Sequence, residues 1–383
     1  MKEGWTYKKL GEVCDIIGGG TPDRKNTSYY NGIIPWATVG DMNCEYLSST
    51  DSYITEDGLR NSASRIIGRG EVIIATRVGL GKVCKLSQDT AINQDLKGVI
   101  PKKDNIDRGF LYYYFKEKAR YIEANGVGAT VKGVKIKFVE DLDFPLIDLK
   151  VQQRIVERLD AAFENIDKLK ANAEKQLAEA QTLFQKSLAK AMEPKEGWEE
   201  KKLGEICSFS QGVQVPLNNQ SLVKLGGYTR FLRIIDYTQG NEPPRYVPIN
   251  DAKYWMNHED IAIVRYGAST GFICTGLEGT LANNLFRLNI KHNVVQQFLI
   301  YVLKSDIFQS VIKVQMNGAA MPAISFGLID GIIIPLPSLA EQQRIVERLD
   351  ALSANIRKYE EIQRQIISEC DALKQALLRK VFE

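Results

Sequence analysis

Histidine is nearly absent: the 383 residues hold only His258 and His292. That shortage removes the H-E-x-x-H metal pair and leaves no partner set to activate a serine or cysteine nucleophile. None of the six cysteines stands in a C-x-x-C pair and no histidines cluster near them, which argues against zinc. An N-terminal apolar stretch and an 18-residue apolar run are both missing. Neither a signal peptide nor a membrane span is therefore expected, and the cytosol is the expected compartment. An excess of one charge is missing too. The 50 basic and 47 acidic residues leave a formal charge of +3, which argues against a bare DNA clamp. A chain that grips DNA only inside a larger assembly can be near neutral.

Nucleotide and methyl-transfer motifs are equally scarce. Gly79-Leu-Gly81-Lys82 hints at a phosphate loop, but Thr76 stands where the first Gly belongs and Val83 follows the lysine. Asn241-Glu-Pro-Pro244-Arg-Tyr246 superficially resembles the N-P-P-[YF] loop of amino-methyltransferases. The inserted Glu and Arg break it, and no Gly-rich cofactor loop precedes it. Pro22-Asp23 followed by Asp95-Leu-Lys97 matches a metal-nuclease pattern no better than chance triplets do.

What is present is a duplication. The residues QQRIVERLDA occur at Gln152–Ala161 and again at Gln342–Ala351, and Glu3-Gly4-Trp5…Lys8-Lys9-Leu10-Gly11-Glu12 returns as Glu196-Gly197-Trp198…Lys201-Lys202-Leu203-Gly204-Glu205. Hydrophobic content of 44% and charged content of 25% supply real cores for two globular domains. Two similar modules on one chain tend to pack about a pseudo-two-fold axis, and such a body suits a target with two half-sites, of which duplex DNA is the commonest.

Each copy ends in a long helix. The first is expected over 148–192, with apolar residues stepping by four and three through Ile155, Leu159, Ala162, Ile166, Leu169, Ala173, Leu177, Ala180, Phe184, Leu188 and Ala191. The second starts at the capping box Ser338-Leu-Ala-Glu341 and continues through Ile345, Leu349, Leu352, Ile356, Tyr359, Ile366, Cys370, Leu373, Leu377 and Val381. No Gly or Pro interrupts either helix; Pro194 followed by Gly197 marks the first stop. A helix of about 40 residues is about 60 Å long, more than a globular core requires. Two matching seams are expected to pair antiparallel between the α/β parts. Their charges nearly balance, so the rod is not read as the main phosphate surface.

The expected organisation is α/β (α+β): domain one at 1–147, a central helix at 148–193, domain two at 194–336 and a C-terminal helix at 337–383. Glu71-Val-Ile-Ile-Ala-Thr-Arg-Val-Gly79 resembles Asp260-Ile-Ala-Ile-Val-Arg-Tyr-Gly267, which sets Arg77 opposite Arg265. The second copy then carries two extra residues before its paired cysteine. Asn93-Gln94 aligns with Asn283-Asn284, Gly128-Ala129 with Gly318-Ala319, Cys14 with Cys207 and Cys84 with Cys274. The paired cysteines read as small buried core residues. Residues 15–65 and 208–255 barely resemble each other. A shared scaffold with one divergent region in each copy is what two readers of different sequences would need.

The Glu-Gly-Trp…Lys-Leu-Gly-Glu opening, the Asn93-Gln94 element, the Pro-Leu run before each helix, and the starts Val151-Gln-Gln-Arg-Ile-Val and Glu341-Gln-Gln-Arg-Ile-Val resemble the specificity subunits of type I restriction–modification enzymes. The likeness covers essentially the whole chain; Val151 in place of the glutamate departs from the pattern. The resemblance implies a non-catalytic DNA-reading subunit without a cofactor of its own. Its two target-recognition domains would each read half of a bipartite asymmetric site, and its helices would set the spacer. Two modification subunits would supply S-adenosylmethionine, and restriction subunits would add ATP- and Mg-dependent translocation and cleavage.

Base reading calls for Arg, Lys, Asn or Gln on loops with aromatics beside them. Arg24, Lys25, Asn26, Tyr29 and Tyr30 form such a loop in the first divergent region. Asn218, Asn219, Gln220, Lys224, Tyr228 and Arg230 form one in the second. Arg77 and Arg265, read as shared, suit phosphate positioning or turn structure. Gly126-Val-Gly128-Ala-Thr130-Val-Lys132 is either a close backbone approach with Lys132 or an ordinary turn. Asn93 and Asn283 are expected to hydrogen-bond the scaffold backbone. Two rival readings stay open: a stand-alone methyltransferase or nuclease with an unrecognised site, and a coiled-coil scaffold for protein partners.

Overall fold

A computed structural model describes residues 5–128, 131–249, 251–291, 293–316 and 323–383. Residues 129 and 130, His292 and the 318–319 pair lie outside the described residues. The chain divides into two compact units, Met1–Glu174 with Arg364–Glu383, and Lys175–Gln363.

Besides the antiparallel pair Thr6–Lys9 and Asp143–Leu146, the described residues of the first unit form two larger sheets. In one, Cys14–Gly18, Leu96–Pro101, Val72–Ala75 and Val83–Leu86 run antiparallel in that order, with Tyr46–Leu47 added parallel at the edge. The other is ordered Tyr53–Ile54, Tyr30–Ala37, Thr90–Ile92, Arg65–Ile67, and its central pair is parallel. The second unit repeats this plan. Cys207–Gln211, Leu285–Ile290, Ile261–Val264 and Ile273–Cys274 form one sheet, and Arg245–Pro248, Tyr228–Leu232, Gly279–Leu281 and Trp255–Met256 the other. In both units the chain after the edge strand, Cys14–Gly18 or Cys207–Gln211, passes so close to a neighbouring turn that only glycine fits. A Cβ on Gly19 would stand 2.2 Å from the carbonyl oxygen of Ile92, and one on Gly212 would stand 2.3 Å from those of Leu281 and Ala282.

The divergent stretches therefore share strands that their sequences conceal. Trp36 pairs with Ala91 in the first unit as Phe231 pairs with Thr280 in the second, both in parallel register. A strand in a sheet needs only alternating bulk, so unrelated side chains serve equally well.

In the first unit a helix over Arg108–Ala124, capped by the Asp107 carboxylate accepting from Phe110 N, carries the buried run Phe110–Phe115 into the core. The second unit breaks the corresponding helix in two, Gln296–Lys304 and Asp306–Met316. The long helices run over Leu149–Ala191 and Leu339–Phe382. Each unit takes the start of one and the end of the other. In the first unit the two segments are antiparallel: Lys170 Nζ meets Asp371 Oδ1 at 2.8 Å, and Lys374 meets Asp167. In the second, Tyr359 OH donates to Gln176 Oε1 at 2.7 Å.

The seam is narrower than the apolar pattern suggested. Leu159, Ile166, Ala173 and Ala180 are buried at heptad spacing, but Leu169, Tyr359 and Leu373 are exposed. At the Leu169 turn the half-buried Lys170, paired with Asp371, takes the inward side instead.

The helix starts explain why the glutamine recurs. Gln152 Oε1 accepts from Asp107 N, and its Nε2 donates to Asn105 O and Ile147 O. Gln342 repeats the set with Val295 N, Asn293 O and Pro337 O. One step further in, Tyr113 OH donates to Asp160 Oδ1 and Tyr301 OH to Asp350 Oδ1, both at 2.5 Å.

The paired cysteines occupy the cores, as expected. Burial pushes the thiols of Cys14, Cys84, Cys207 and Cys274 up to about 12, so they stay protonated at neutral pH and are poor nucleophiles. An alkylating reagent at mildly alkaline pH is expected to label the exposed Cys44 in the folded protein and these four only in denaturant. Peptide mass spectrometry checks this, and fast labelling of any of the four in the native chain would contradict it.

Candidate DNA interface

The turn after the strand Val72–Ala75 can be matched between the domains through its backbone bonds. Thr76 N donates to Asp95 O at 2.8 Å, and Thr76 O accepts from Val134 N at 2.9 Å. In the second domain it is Arg265 whose N donates to Asn284 O at 2.9 Å and whose O accepts from Ile324 N at 3.1 Å. One residue on, Arg77 bridges Gly133 and Tyr266 bridges Ala323. Arg265 is thus the equivalent of Thr76, and Arg77 the equivalent of Tyr266. The alignment of Arg77 with Arg265 is corrected by one position, and the second domain carries one extra residue before Cys274 rather than two.

One step along an extended chain turns a side chain to the other face. The Arg265 guanidinium carbon lies 4.6 Å from the Tyr266 ring centre and 5.1 Å from that of Phe286, and its Nε is buried without a hydrogen-bond partner. Arg77 is exposed, with Nη1 3.6 Å from Asp95 Oδ1. Of the two, Arg77 is the exposed one and Arg265 is half-buried. Lys132 is exposed beside it, one residue before the Gly133 that Arg77 bridges.

The same ladder corrects the asparagines. Asn93 N donates to Ala37 O as Ala282 N does to Leu232 O, so Asn93 matches Ala282, and Gln94 matches Asn283. Asn93 does brace its own turn, accepting from Asp95 N at 3.1 Å and donating to Asp95 Oδ2. Asn283 instead donates to Gln214 Oε1 at 3.5 Å, the counterpart of the Thr21–Gln94 hydrogen bond.

In the first divergent loop the structure separates supports from free groups. Asn26 Oδ1 accepts from Ser28 N and caps a short turn of helix. Tyr30 OH donates to Pro22 O at 2.7 Å, and its ring lies edge-on to Trp36, which in turn donates to Gly20 O. Tyr29 is half-buried. Arg24 and Lys25 stand exposed on the frame these residues build. In the second loop Gln220 donates to Val215 O and Tyr228 begins a strand, whereas Asn218, Asn219 and Lys224 are exposed. Arg230 is half-buried, with Nη2 3.9 Å from Asp236 Oδ1. Sequence reasoning missed Arg233, which fixes that corner by bonding both oxygens of Asp236 and Glu242 Oε2. The hydrogen bonds to Asp236 raise its pKa above the ordinary arginine value. The signal was an arginine three residues before an aspartate. Among the described residues no three His, Cys, Asp or Glu side chains are placed to hold a metal ion, and no helix is long and apolar enough to cross a membrane.

The model of the type I restriction modification DNA specificity domain matches this chain twice, over residues 2–179 and 195–367. The chain belongs to that family. A type I restriction enzyme specificity subunit, MjaIX, from Methanocaldococcus jannaschii is 25% identical over 90% of this chain and 86% of its own length. The EcoR124I/EcoR124II specificity subunit of Escherichia coli is 33% identical over 42% of this chain and 41% of its own. Among solved structures, a chain from a study of complex assembly and conformational transition of the type I system superposes with a TM-score of 0.82 at 20% identity, covering all of this chain and 98% of that one. The HsdS subunit from Thermoanaerobacter tengcongensis gives 0.61 at 21% identity, covering 100% and 97%. The two family domains coincide with the two copies of the scaffold. As a specificity subunit, the chain is a recognition component rather than a catalyst, and it works within a complex.

Proposed function

We propose that each domain of this specificity subunit reads one half of a bipartite, asymmetric duplex DNA site, with the two long helices setting the spacer between the halves. The observation that carries this reading is one scaffold built twice with unlike loops: Arg24 and Lys25 on the first, Asn218, Asn219 and Lys224 on the second, and Arg77 with Lys132 where the other domain has Tyr266. Groups that differ between copies suit discrimination; the shared hydrogen bonds of Gln152 and Gln342 suit the frame.

The partners would be two modification subunits bearing S-adenosylmethionine, joined in the nuclease by restriction subunits that use ATP and Mg. A repeated feature of the long helices supports two equivalent partners. The first unit exposes Leu169 and Leu373, and the second exposes their repeat counterparts Tyr359 and Leu183. Apolar groups left outside a seam at matching places suit the same partner bound twice.

The chain purified alone is expected to transfer no methyl group, and to direct adenine methylation at one bipartite sequence once a modification subunit is added. Exchanging the first domain, residues 15–65 included, should then change one half-site and keep the other, read by methylome sequencing. Methyl transfer by the isolated chain would favour the stand-alone enzyme, and a change in both half-sites would sink the assignment of one domain to each half.

A further inference from the structure

Val78 has a backbone its residue type resists. Its φ is +41°, where the Cβ of an L-residue crowds the following carbonyl and a β-branched side chain fits worst. Burial does not compensate, because Val78 is 52% exposed. The equivalent residue one step after Tyr266 is Gly267, with φ +81° and open space where a Cβ would stand. The turn thus demands a left-handed residue in both domains. The second supplies glycine, while the first carries a valine that points into solvent.

The flanks hold this conformation. A Cβ on Gly79 would lie 2.8 Å from Val39 Cγ1, and one on Gly81 would lie 2.8 Å from Ala119 O, so the turn is pressed against the domain on either side of its tip. Lys82 Nζ donates to Asn43 Oδ1 at 2.8 Å and to Val39 O. Strain that rigid surroundings enforce collects where a side chain has work outside the fold. The neighbours are suited to a polyanion with apolar features: exposed Arg77 and Lys132, and Val127 at 82% exposure.

We infer that Val78 is a specificity-determining residue of the first domain, its side chain meeting apolar surface of a base in the half-site that this domain reads. The inference rests on the reading above, in which each domain takes one half-site. Arg77 and Lys132 lie on the adjoining phosphates. DNA offers such a surface as the thymine methyl in the major groove or as the face of a partly unstacked base. The second domain, with Tyr266-Gly267 at the same place, cannot make this contact, so the effect belongs to one half-site.

The test compares the wild-type complex with V78G, V78A and V78N, each assembled with the modification subunit. Glycine and asparagine accept the left-handed backbone, so V78G and V78N should melt at or above the wild-type temperature. All three should bind and methylate the native site roughly tenfold less well, about what burying one valine side chain is worth. The lost discrimination should lie among bases of the first half-site. Uracil replacing each thymine of that half-site should weaken wild type and not V78G if the methyl is the contact. If an unstacked base is the contact, 2-aminopurine placed along the half-site should brighten with wild type and not with V78G. Unchanged methylation and discrimination by V78G, or a loss spread equally over both half-sites, would overturn the inference. Failure of the wild-type complex to methylate a bipartite site would instead overturn the function proposed above.

Discussion

Replacing Phe382 by alanine should destabilise the first unit by about 3–5 kcal/mol, the range for losing a buried phenylalanine, and leave the second unit at wild-type stability. Phe382 is only 5% exposed; its ring lies 5.1 Å from Phe110 and 6.0 Å from Tyr114. With Leu378 it closes the core that the helix Arg108–Ala124 and the strand Asp143–Leu146 leave open on one side. Its repeat counterpart, Met192, does the same for the second unit together with Leu188. Hydrogen exchange separates the two outcomes. Amides of Arg108–Ala124 should lose protection in the variant while those of Gln296–Lys304 keep theirs. Equal loss in both helices would show that the units do not unfold independently.

The glutamine that opens each long helix should be nearly as costly to remove. Gln152 and Gln342 are both 0% exposed. Leucine at either position would fill a similar volume but strip one N–H of its acceptor and two carbonyls of a donor, in bonds that are mostly part-buried. An unpaired buried group costs about 1–3 kcal/mol and a part-buried one less, so the three groups together should cost about 3 kcal/mol. Gln152→Leu should act on the first unit and Gln342→Leu on the second. Urea unfolding followed by proteolysis at intermediate denaturant identifies which unit opens first. Glutamate should not rescue either site, since it keeps the acceptor, loses the donor and buries a charge. Near-wild-type stability of either leucine variant would mean that water replaces the lost bonds.

These residues mark how far the sequence could be read. The ten-residue repeat located both long helices to within a residue or two, because a heptad seam and a capping box are local signals. The same repeat contained Gln152 and Gln342, whose job lay hidden: their partners at Asn105 and Asn293 are 47 and 49 positions away. Arg77 and Arg265 look equivalent by residue type but stand one position apart, because register is fixed by the hydrogen-bond ladder and not by identical residues. In strands as uniformly apolar as Val72–Ala75 and Ile261–Val264 a one-residue slip leaves no mark in the hydrophobic pattern, yet it turns every side chain to the other face. Strands inside the divergent regions escaped notice for a related reason, since Trp36 and Phe231 fill the same register with nothing else in common around them. Of the first loop's candidates, Arg24 and Lys25 stayed available while Asn26 and Tyr30 proved to be braces, a distinction set by neighbours rather than by residue type.

The sharing of long helices between units also has a consequence for how the protein is made. The second unit is continuous, Lys175–Gln363, whereas the first waits for residues 364–383. On the ribosome a domain usually folds as soon as it emerges. Here the unit whose synthesis begins first is the last to be completed, and until Leu378 and Phe382 arrive its aromatic core stands open. A message broken or stalled between the two events would yield chains with one finished reader and one exposed core, which are fit for proteolysis rather than for assembly. Translation to the last helical turn thus becomes a condition for having two working readers on the same chain.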